Sequence, residues 1–104
     1  MNDVEFELLG EHWTVKFVPV IDHEDDADNF WMGKTDYAIK LVQIATKDYN
    51  GNPFSKDEMK ITLLHELMHV ICSSGQYRGN NDDEPFIEWV ARCIFCLLKQ
   101  KVIK

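Results

Sequence analysis

One stretch in the second half of the chain carries the signals of a single long helix, and it constrains the fold more than any other part. Ser55 and Glu58 form a capping box, in which side chains at a helix start satisfy the first backbone N–H groups. Residues 59–71 contain neither Gly nor Pro, and Gly75 is a typical residue just beyond a helix C-terminus. We therefore predict a helix that begins near Lys56 and stops at Gly75.

Within this predicted helix, His65, Glu66 and His69 form the pattern His-Glu-x-x-His. Histidines four positions apart lie on the same helix face, so that both imidazoles can bind one zinc ion. Glu66 lies to the side of that face, where it is better placed to take a proton from water than to bind the metal. In zinc peptidases with this pattern, zinc lowers the pKa of the water that it binds, and the glutamate takes the proton. The motif predicts His65 and His69 as zinc ligands and Glu66 as the catalytic base.

A catalytic zinc ion usually has three protein ligands, so a third residue is needed. A second helix is predicted from Glu84 to Val102, and it offers Glu84 and Glu88 on one face. Glu84 would also be stable as a solvated acid at the helix N-terminus. Glu88 lies one turn further in, beside Trp89, where an unpaired carboxylate would be costly. The sequence favours Glu88 as the third ligand and leaves Glu84 as the alternative.

Composition and charge exclude several classes of function. The 104 residues are expected to form one domain, residues 1–104, and the net charge of −7 argues against nucleic-acid binding. No apolar run approaches the length of a membrane span, and the N-terminus lacks the basic and apolar segments of a secretory signal. We therefore expect a cytoplasmic protein.

Three cysteines, an odd number, are consistent with a reduced environment. Cys93 and Cys96 lie in the apolar second helix and are predicted to be core residues rather than a redox or metal pair. Cys72 is three residues after His69, but its direction from the helix disfavours it as a fourth ligand.

Strand patterns precede the zinc helix. Residues 4–8 and 13–18 alternate in hydrophobicity and are predicted to pair as a hairpin. The acidic run 22–28 lacks the spacing of a calcium loop and is predicted to be a solvated loop. Residues 30–36 are predicted to be a turn that leads into a third strand, which starts at Tyr37 and ends at Ala45. The expected fold is α+β, with about three twisted strands packed on the zinc helix and on the C-terminal helix that carries the glutamates.

These motifs resemble the gluzincins, on the basis of His-Glu-Leu-Met-His at 65–69 and Glu-Trp-Val-Ala at 88–91. The likeness spans about residues 35–98 and is greatest to the minigluzincins and to the small ImmA/IrrE-type metallopeptidases of phages and mobile elements. It implies a zincin fold, a downstream glutamate as third ligand, and a peptide substrate that pairs with the edge strand before the zinc helix. Here that strand would run from Tyr37 to Ala45. Arg92 stands where those proteins commonly have Asp or Asn, a residue that often orients a ligand histidine.

The sequence therefore predicts a zinc-dependent endopeptidase, with substrate selectivity that a partner protein can supply. The alternative is a zinc-binding regulatory or interaction module with the same fold and little or no proteolytic activity. A globular protein without metal is the third hypothesis. A donor for the charged oxygen of the reacting carbonyl is also required, and Tyr77, Arg78 and Tyr37 are candidates that the sequence does not separate.

Overall fold

The computed structural model describes residues 2–22 and 30–102, which form six strands and three helices. In chain order they are β1 (Val4–Leu8), β2 (Glu11–Val18), β3 (Ile21–Asp22), β4 (Phe30–Trp31), β5 (Gly33–Asp36), β6 (Leu41–Ala45), α1 (Lys56–Ser74), α2 (Arg78–Asn81) and α3 (Glu84–Lys99). The acidic run predicted to be a solvated loop lies, apart from Asp22, outside the described residues.

The main sheet has four strands in the order β1-β2-β6-β5. The predicted hairpin is confirmed: β1 and β2 are antiparallel, and Leu9 and Gly10 between them both have positive φ, as a two-residue turn matching strand twist requires. β2 and β6 run parallel, whereas β5 and β6 are antiparallel. β3 and β4 pair separately. A mixed sheet with packed helices confirms the α+β class, with four strands in the main sheet rather than about three.

The strand predicted from Tyr37 to Ala45 is wrong in its first half. The carboxylate of Asp36 accepts hydrogen bonds from the backbone N–H groups of Ala38 and Ile39, and Lys40 has a left-handed φ of 53°, so the chain turns here. Residues 30–36 were predicted to be a turn, but they include strand β5. Strand β6, the second half of the predicted strand, lies between β2 and β5 and is therefore not an edge strand. The edge strand on this side of the sheet is β5.

The hydrophobic core lies between the sheet and α1. Trp13 and Val15 of β2, Val42 and Ile44 of β6, and Val70 of α1 form one buried cluster. Val42 and Ile44 alternate along β6, so both point toward the same face, and both are 0% exposed. Burying such a side chain contributes about 1.5–3 kcal/mol, so this cluster fixes α1 against the sheet.

Helix α1 begins where the capping residues predict. The Ser55 hydroxyl accepts the backbone N–H of Glu58 at 3.1 Å and donates to the Glu58 carboxylate at 3.0 Å. At the other end the helix stops at Ser74 and Gly75 caps it, but Gly75 has a φ of −97°. The left-handed residue is Gln76, with a φ of 60°, one position later than the glycine suggests.

Helix α3 packs against α1 in the antiparallel direction. Lys99 near the end of α3 contacts Asp57 near the start of α1 at 2.7 Å, whereas Glu88 contacts His65 further along. The Asp83 side chain caps α3 by accepting the N–H of Phe86. The helix ends at Lys99, three residues before the predicted end.

The two cysteines of α3 are not on its buried face. Ile87 and Ala91, one turn apart, are 0% exposed and form the buried face. Cys93 and Cys96 point to the opposite side and are exposed, so their prediction as core residues is wrong. All three cysteines are free, and Cys72 is buried. No helix in the described part of the chain is long and apolar enough to cross a membrane.

Candidate metal centre

The two histidines of α1 meet a single carboxylate from α3. Their rings lie 5.1 Å apart between centroids, and their side chains are 19% and 12% exposed. Nε2 of His65 lies 2.8 Å from one oxygen of Glu84, and Nε2 of His69 lies 3.0 Å from the other. The antiparallel packing of α1 and α3 brings these three side chains together, although they are distant in sequence.

The opposite nitrogen of each histidine has its own acceptor. Nδ1 of His65 lies 2.9 Å from the carboxylate of Glu88, and Nδ1 of His69 lies 2.6 Å from the side-chain oxygen of Asn81. A neutral imidazole carries one N–H and one lone pair, so each ring can donate to only one of its two oxygen neighbours. If the ring protons are on Nδ1, both Nε2 atoms present a lone pair to Glu84. A cation between Glu84 and both Nε2 atoms would relieve this repulsion and leave the ring protons on Nδ1.

The donor set fits a metal ion of the zinc type. Potential ligand atoms of His65, His69 and Glu84 all lie within 4.8 Å of one another. A tetrahedral ion with bonds of about 2.1 Å keeps its ligand atoms about 3.4 Å apart, which is within this limit. Two imidazole nitrogens and one carboxylate oxygen suit zinc and its neighbours in the transition series. The structure thus contains a possible His-His-Glu metal site.

Glu88, favoured by the sequence as third ligand, is placed differently. It faces Nδ1 of His65, away from the nitrogens that converge on Glu84. Its second oxygen accepts a hydrogen bond from Nε of Arg92 at 2.8 Å. Burial acts to raise the pKa of Glu88, but the hydrogen bond from His65 and the charge of Arg92 outweigh it and hold the pKa below its ordinary value. Arg92, which departs from the gluzincin pattern, therefore fixes the carboxylate that contacts His65.

Glu66 lies beside the histidines and is outside the group of potential ligands. Its side chain is only 7% exposed, and the hydroxyl of Thr35 on β5 donates to its Oε2 at 2.6 Å. Burial raises the pKa of Glu66, and the hydrogen bond from Thr35 together with the two histidines opposes the change in part. A buried carboxylate with a raised pKa is suited to accept a proton.

The contact between β5 and α1 depends on Gly33. A Cβ atom at this position would lie 2.8 Å from side-chain carbons of both Glu66 and Thr62, and 3.0 Å from Oε1 of Glu66. Gly33 and Thr35 are two residues apart on the strand, so both face α1. Neither residue was predicted from the sequence, because residues 30–36 were predicted to be a turn. A glycine within a strand often marks such a close approach, and this was the available signal.

An open cavity of about 500 Å³ lies in front of the histidines. The residues that line it come from β5 and its flanks, from α1 and from α3: Met32, Gly33, Lys34, Thr35, Tyr37, Thr62, His65, Glu66, His69 and Glu84. One wall is therefore the edge strand and the other is the helix with the motif.

Comparison with protein-family models, with curated proteins and with solved structures finds no match for this chain. The fold and the possible metal site therefore rest on the residues and geometry described above. Asn81 and Thr35 were not singled out by the sequence, since neither belongs to a local motif.

Proposed function

We propose that this protein is a zinc-dependent peptidase in which His65, His69 and Glu84 hold the ion. The observation that carries the proposal is the convergence of both Nε2 atoms on one carboxylate, while both Nδ1 atoms have separate acceptors. Bound zinc would supply a Lewis acid that lowers the pKa of water and polarises a peptide carbonyl. A catalytic rather than a structural role for the ion is favoured because the His-Glu-x-x-His motif adds a carboxylate, Glu66, that a purely structural site does not need.

Glu66 serves as the catalytic base in this proposal. It takes a proton from the attacking water and gives it to the nitrogen of the leaving amine. The C–N bond then breaks to release a neutral amine rather than an amide anion. The burial of Glu66 against β5 supports this role, because the raised pKa increases its affinity for the proton. Thr35 holds one carboxylate oxygen at 2.6 Å and fixes its direction.

Glu88 acts through His65 in this proposal. A hydrogen bond from a ligand histidine to a carboxylate fixes the ring and raises its basicity toward the metal. The pair of Glu88 and Arg92 has the geometry for this role: 2.9 Å to Nδ1 of His65 and 2.8 Å between themselves.

The proposed substrate is an extended peptide that pairs with β5. Edge strands present unpaired backbone groups that an added strand can use. The sequence assigned this role to the segment from Tyr37 to Ala45, but β6 is paired on both sides. β5 (Gly33–Asp36) forms a wall of the cavity and lies at the edge of the sheet, so it is the strand that supports substrate binding.

Metal content and zinc affinity test the ligand assignment. We expect about one zinc ion per chain in the native protein. Glu84→Ala should lose zinc at micromolar concentrations, whereas Glu88→Ala should weaken binding by about 10- to 100-fold, as for residues that orient ligands. Asp82→Ala removes an exposed carboxylate close to Glu84 in sequence and is the matched control. Zinc retained by Glu84→Ala and lost by Glu88→Ala would contradict the assignment.

Hydrolysis of an unstructured, fluorescently labelled protein tests the activity. The zinc-loaded protein should cleave it, and Glu66→Gln should reduce kcat by about 10²- to 10⁴-fold while zinc content is unchanged. Full zinc binding without cleavage of any peptide would support the alternative function, a zinc-binding regulatory or interaction module. No zinc binding by the native protein would contradict both.

A further inference from the structure

We infer that Asn81 orients the hydroxyl of Tyr37 so that its O–H points into the metal cavity, as the donor for the substrate carbonyl oxygen. The inference rests on the proposed peptidase function and adds two residues to it. Tyr37 would contact the reacting oxygen, and Asn81 would be a positioning residue that acts through Tyr37.

Tyr37 is held in a defined position beside the site. It lines the same cavity as His65, Glu66 and His69. Its ring meets the ring of Trp13 edge-on, with centroids 6.3 Å apart and an angle of 89° between the planes. Trp13 is a core residue that is 4% exposed, so this contact anchors the tyrosine, while 40% of Tyr37 stays exposed. A rigid ring with an accessible hydroxyl meets the first requirement of a catalytic donor.

Asn81 connects Tyr37 to His69. Its side-chain oxygen lies 2.6 Å from Nδ1 of His69, and its amide nitrogen donates to the Tyr37 hydroxyl oxygen at 3.2 Å. The alternative contact, from the Tyr37 hydroxyl to the Asn81 oxygen, is 3.5 Å and lies outside the usual range of an O–H···O hydrogen bond. The tyrosine oxygen is therefore an acceptor toward Asn81.

The donor and acceptor roles in the hydrogen bonds that run from His69 through Asn81 to Tyr37 follow from the role of His69. When Nε2 of His69 is a metal ligand, the ring proton is on Nδ1, and the partner of Nδ1 must accept. Asn81 then turns its oxygen to His69 and its NH₂ group to Tyr37. Because the tyrosine oxygen accepts from that group, its own proton is free to point elsewhere. Tyr37 lines the metal cavity as well as the neighbouring one, and the inference places this proton in the metal cavity.

The other two candidate donors lack this geometry. Tyr77 is 63% exposed, and its ring lies over Gly75, where a Cβ atom would be 2.5 Å from a ring carbon. Arg78 lines a neighbouring cavity of about 290 Å³ and does not line the metal cavity. Of the three, Tyr37 is the residue on the wall of the metal cavity.

Tyr37→Phe tests the donor, because it removes one oxygen and keeps the ring against Trp13. We expect kcat to fall by about 100-fold, with KM and zinc affinity unchanged, as for the loss of one donor to a developing negative charge. Tyr77→Phe is the matched control and should behave like the native protein.

A binding measurement separates a donor from a structural residue. A phosphinic peptide carries a charged tetrahedral group at the position of the reacting carbonyl and resembles the transition state. In calorimetry, Tyr37→Phe should lose about 10- to 100-fold in affinity for this compound. In the inactive Glu66→Gln background, the same substitution should leave the affinity for the uncleaved peptide unchanged. Equal losses for both ligands would indicate a structural role and overturn the inference.

Asn81→Asp tests the orientation. The carboxylate still accepts from His69, but it has no donor for Tyr37, so the tyrosine O–H turns toward it and away from the cavity. We expect zinc to bind at least as tightly as in the native protein, because a carboxylate partner strengthens His69 as a donor, and kcat to fall as in Tyr37→Phe. The double variant Tyr37→Phe/Asn81→Asp should be no worse than either single variant, because both remove the same hydrogen bond.

The outcomes distinguish the two proposals. A native kcat and native phosphinic-peptide affinity in Tyr37→Phe would overturn this inference and leave the peptidase function intact. Additive losses in the double variant would overturn the role of Asn81 alone. Absence of zinc-dependent hydrolysis by the native protein would overturn the peptidase function and, with it, this inference.

Discussion

Each histidine of the candidate centre is supported on its far side by a different kind of side chain. His65 faces the carboxylate of Glu88, and His69 faces the amide oxygen of Asn81. A carboxylate partner makes its imidazole a stronger donor to a metal than an amide partner does. His65 would therefore be the stronger donor to a bound metal, and His69, the weaker one, is connected to Tyr37 through Asn81.

At the residue scale, the buried carboxylate of Glu66 costs stability in the metal-free protein. Burial raises its pKa in the folded chain. Between the ordinary glutamate pKa and this raised value, the folded state holds a proton that the unfolded state has lost, so stability falls as pH rises through that window. Glutamine does not titrate, so Glu66→Gln lacks this loss of stability with rising pH. In thermal unfolding with a chelator present, its Tm should exceed that of the native protein near pH 7, and the difference should shrink toward pH 4. A constant difference would contradict this.

Thr35 gives a second prediction at this scale, through its hydrogen bond to Glu66. Thr35→Val keeps the shape and removes the donor, so the carboxylate loses its fixed direction. We expect kcat to fall by about 10- to 150-fold, with zinc content unchanged, since one hydrogen bond to a charged group contributes roughly 1.5–3 kcal/mol. Thr35→Ser keeps the hydroxyl and should recover most of the activity. A serine variant as impaired as the valine variant would show that packing, and not the hydrogen bond, is what matters.

At the scale of elements, β5 lies against α1 at a distance that requires glycine. A Cβ atom at Gly33 would be 2.8 Å from Glu66 and from Thr62, closer than van der Waals contact allows. The strand can supply a wall of the cavity and a hydrogen bond to Glu66 only at this distance. Because β5 and α1 are so close at Gly33, a larger residue at this position should disturb their packing.

Gly33→Ala should therefore destabilise the protein by about 1–3 kcal/mol, the usual cost of overpacking. Urea unfolding measures this change in the free energy of unfolding. Gly79→Ala is the matched control, because a Cβ atom at Gly79 in the short helix α2 meets no atom within 4 Å. The control should be neutral or slightly stabilising, as alanine is in a helix. Equal stability of the two variants would show that β5 moves away without cost.

At the scale of the whole molecule, the metal site joins two helices that already pack together. His65 and His69 come from α1 and Glu84 from α3, so an ion held by all three links the middle of one helix to the start of the other. Any ligand that binds the folded state alone stabilises it by mass action.

Zinc should therefore raise the Tm of the native protein. At a free zinc concentration of about 100 times Kd, the gain is about 2.7 kcal/mol, which corresponds to a shift of about 10 to 20 °C for a chain of this size. Thermal unfolding with zinc and with a chelator measures the shift. It should vanish in Glu84→Ala and persist, at higher zinc concentrations, in Glu88→Ala. Magnesium, which prefers oxygen ligands, is the control ion and should have little effect.

Local interactions made part of this molecule predictable from its sequence. The start of α1 at Lys56, the hairpin of β1 and β2, and the placement of His65, Glu66 and His69 on one helix depend on residues that are close in sequence. Capping, hydrophobic alternation and helical spacing therefore report them directly.

The rest depended on contacts between distant segments. Glu84 and Glu88 lie on the same face of α3, so which of them meets Nε2 of the histidines is set by how far α3 is displaced along α1. The position of β5 at the edge of the sheet follows from the parallel pairing of β2 with β6. The sequence by itself determined the helix that carries the motif and the chemistry of its side chains. Only the tertiary structure decided which residues stand opposite them, because register between packed elements is fixed by side-chain packing over the whole interface.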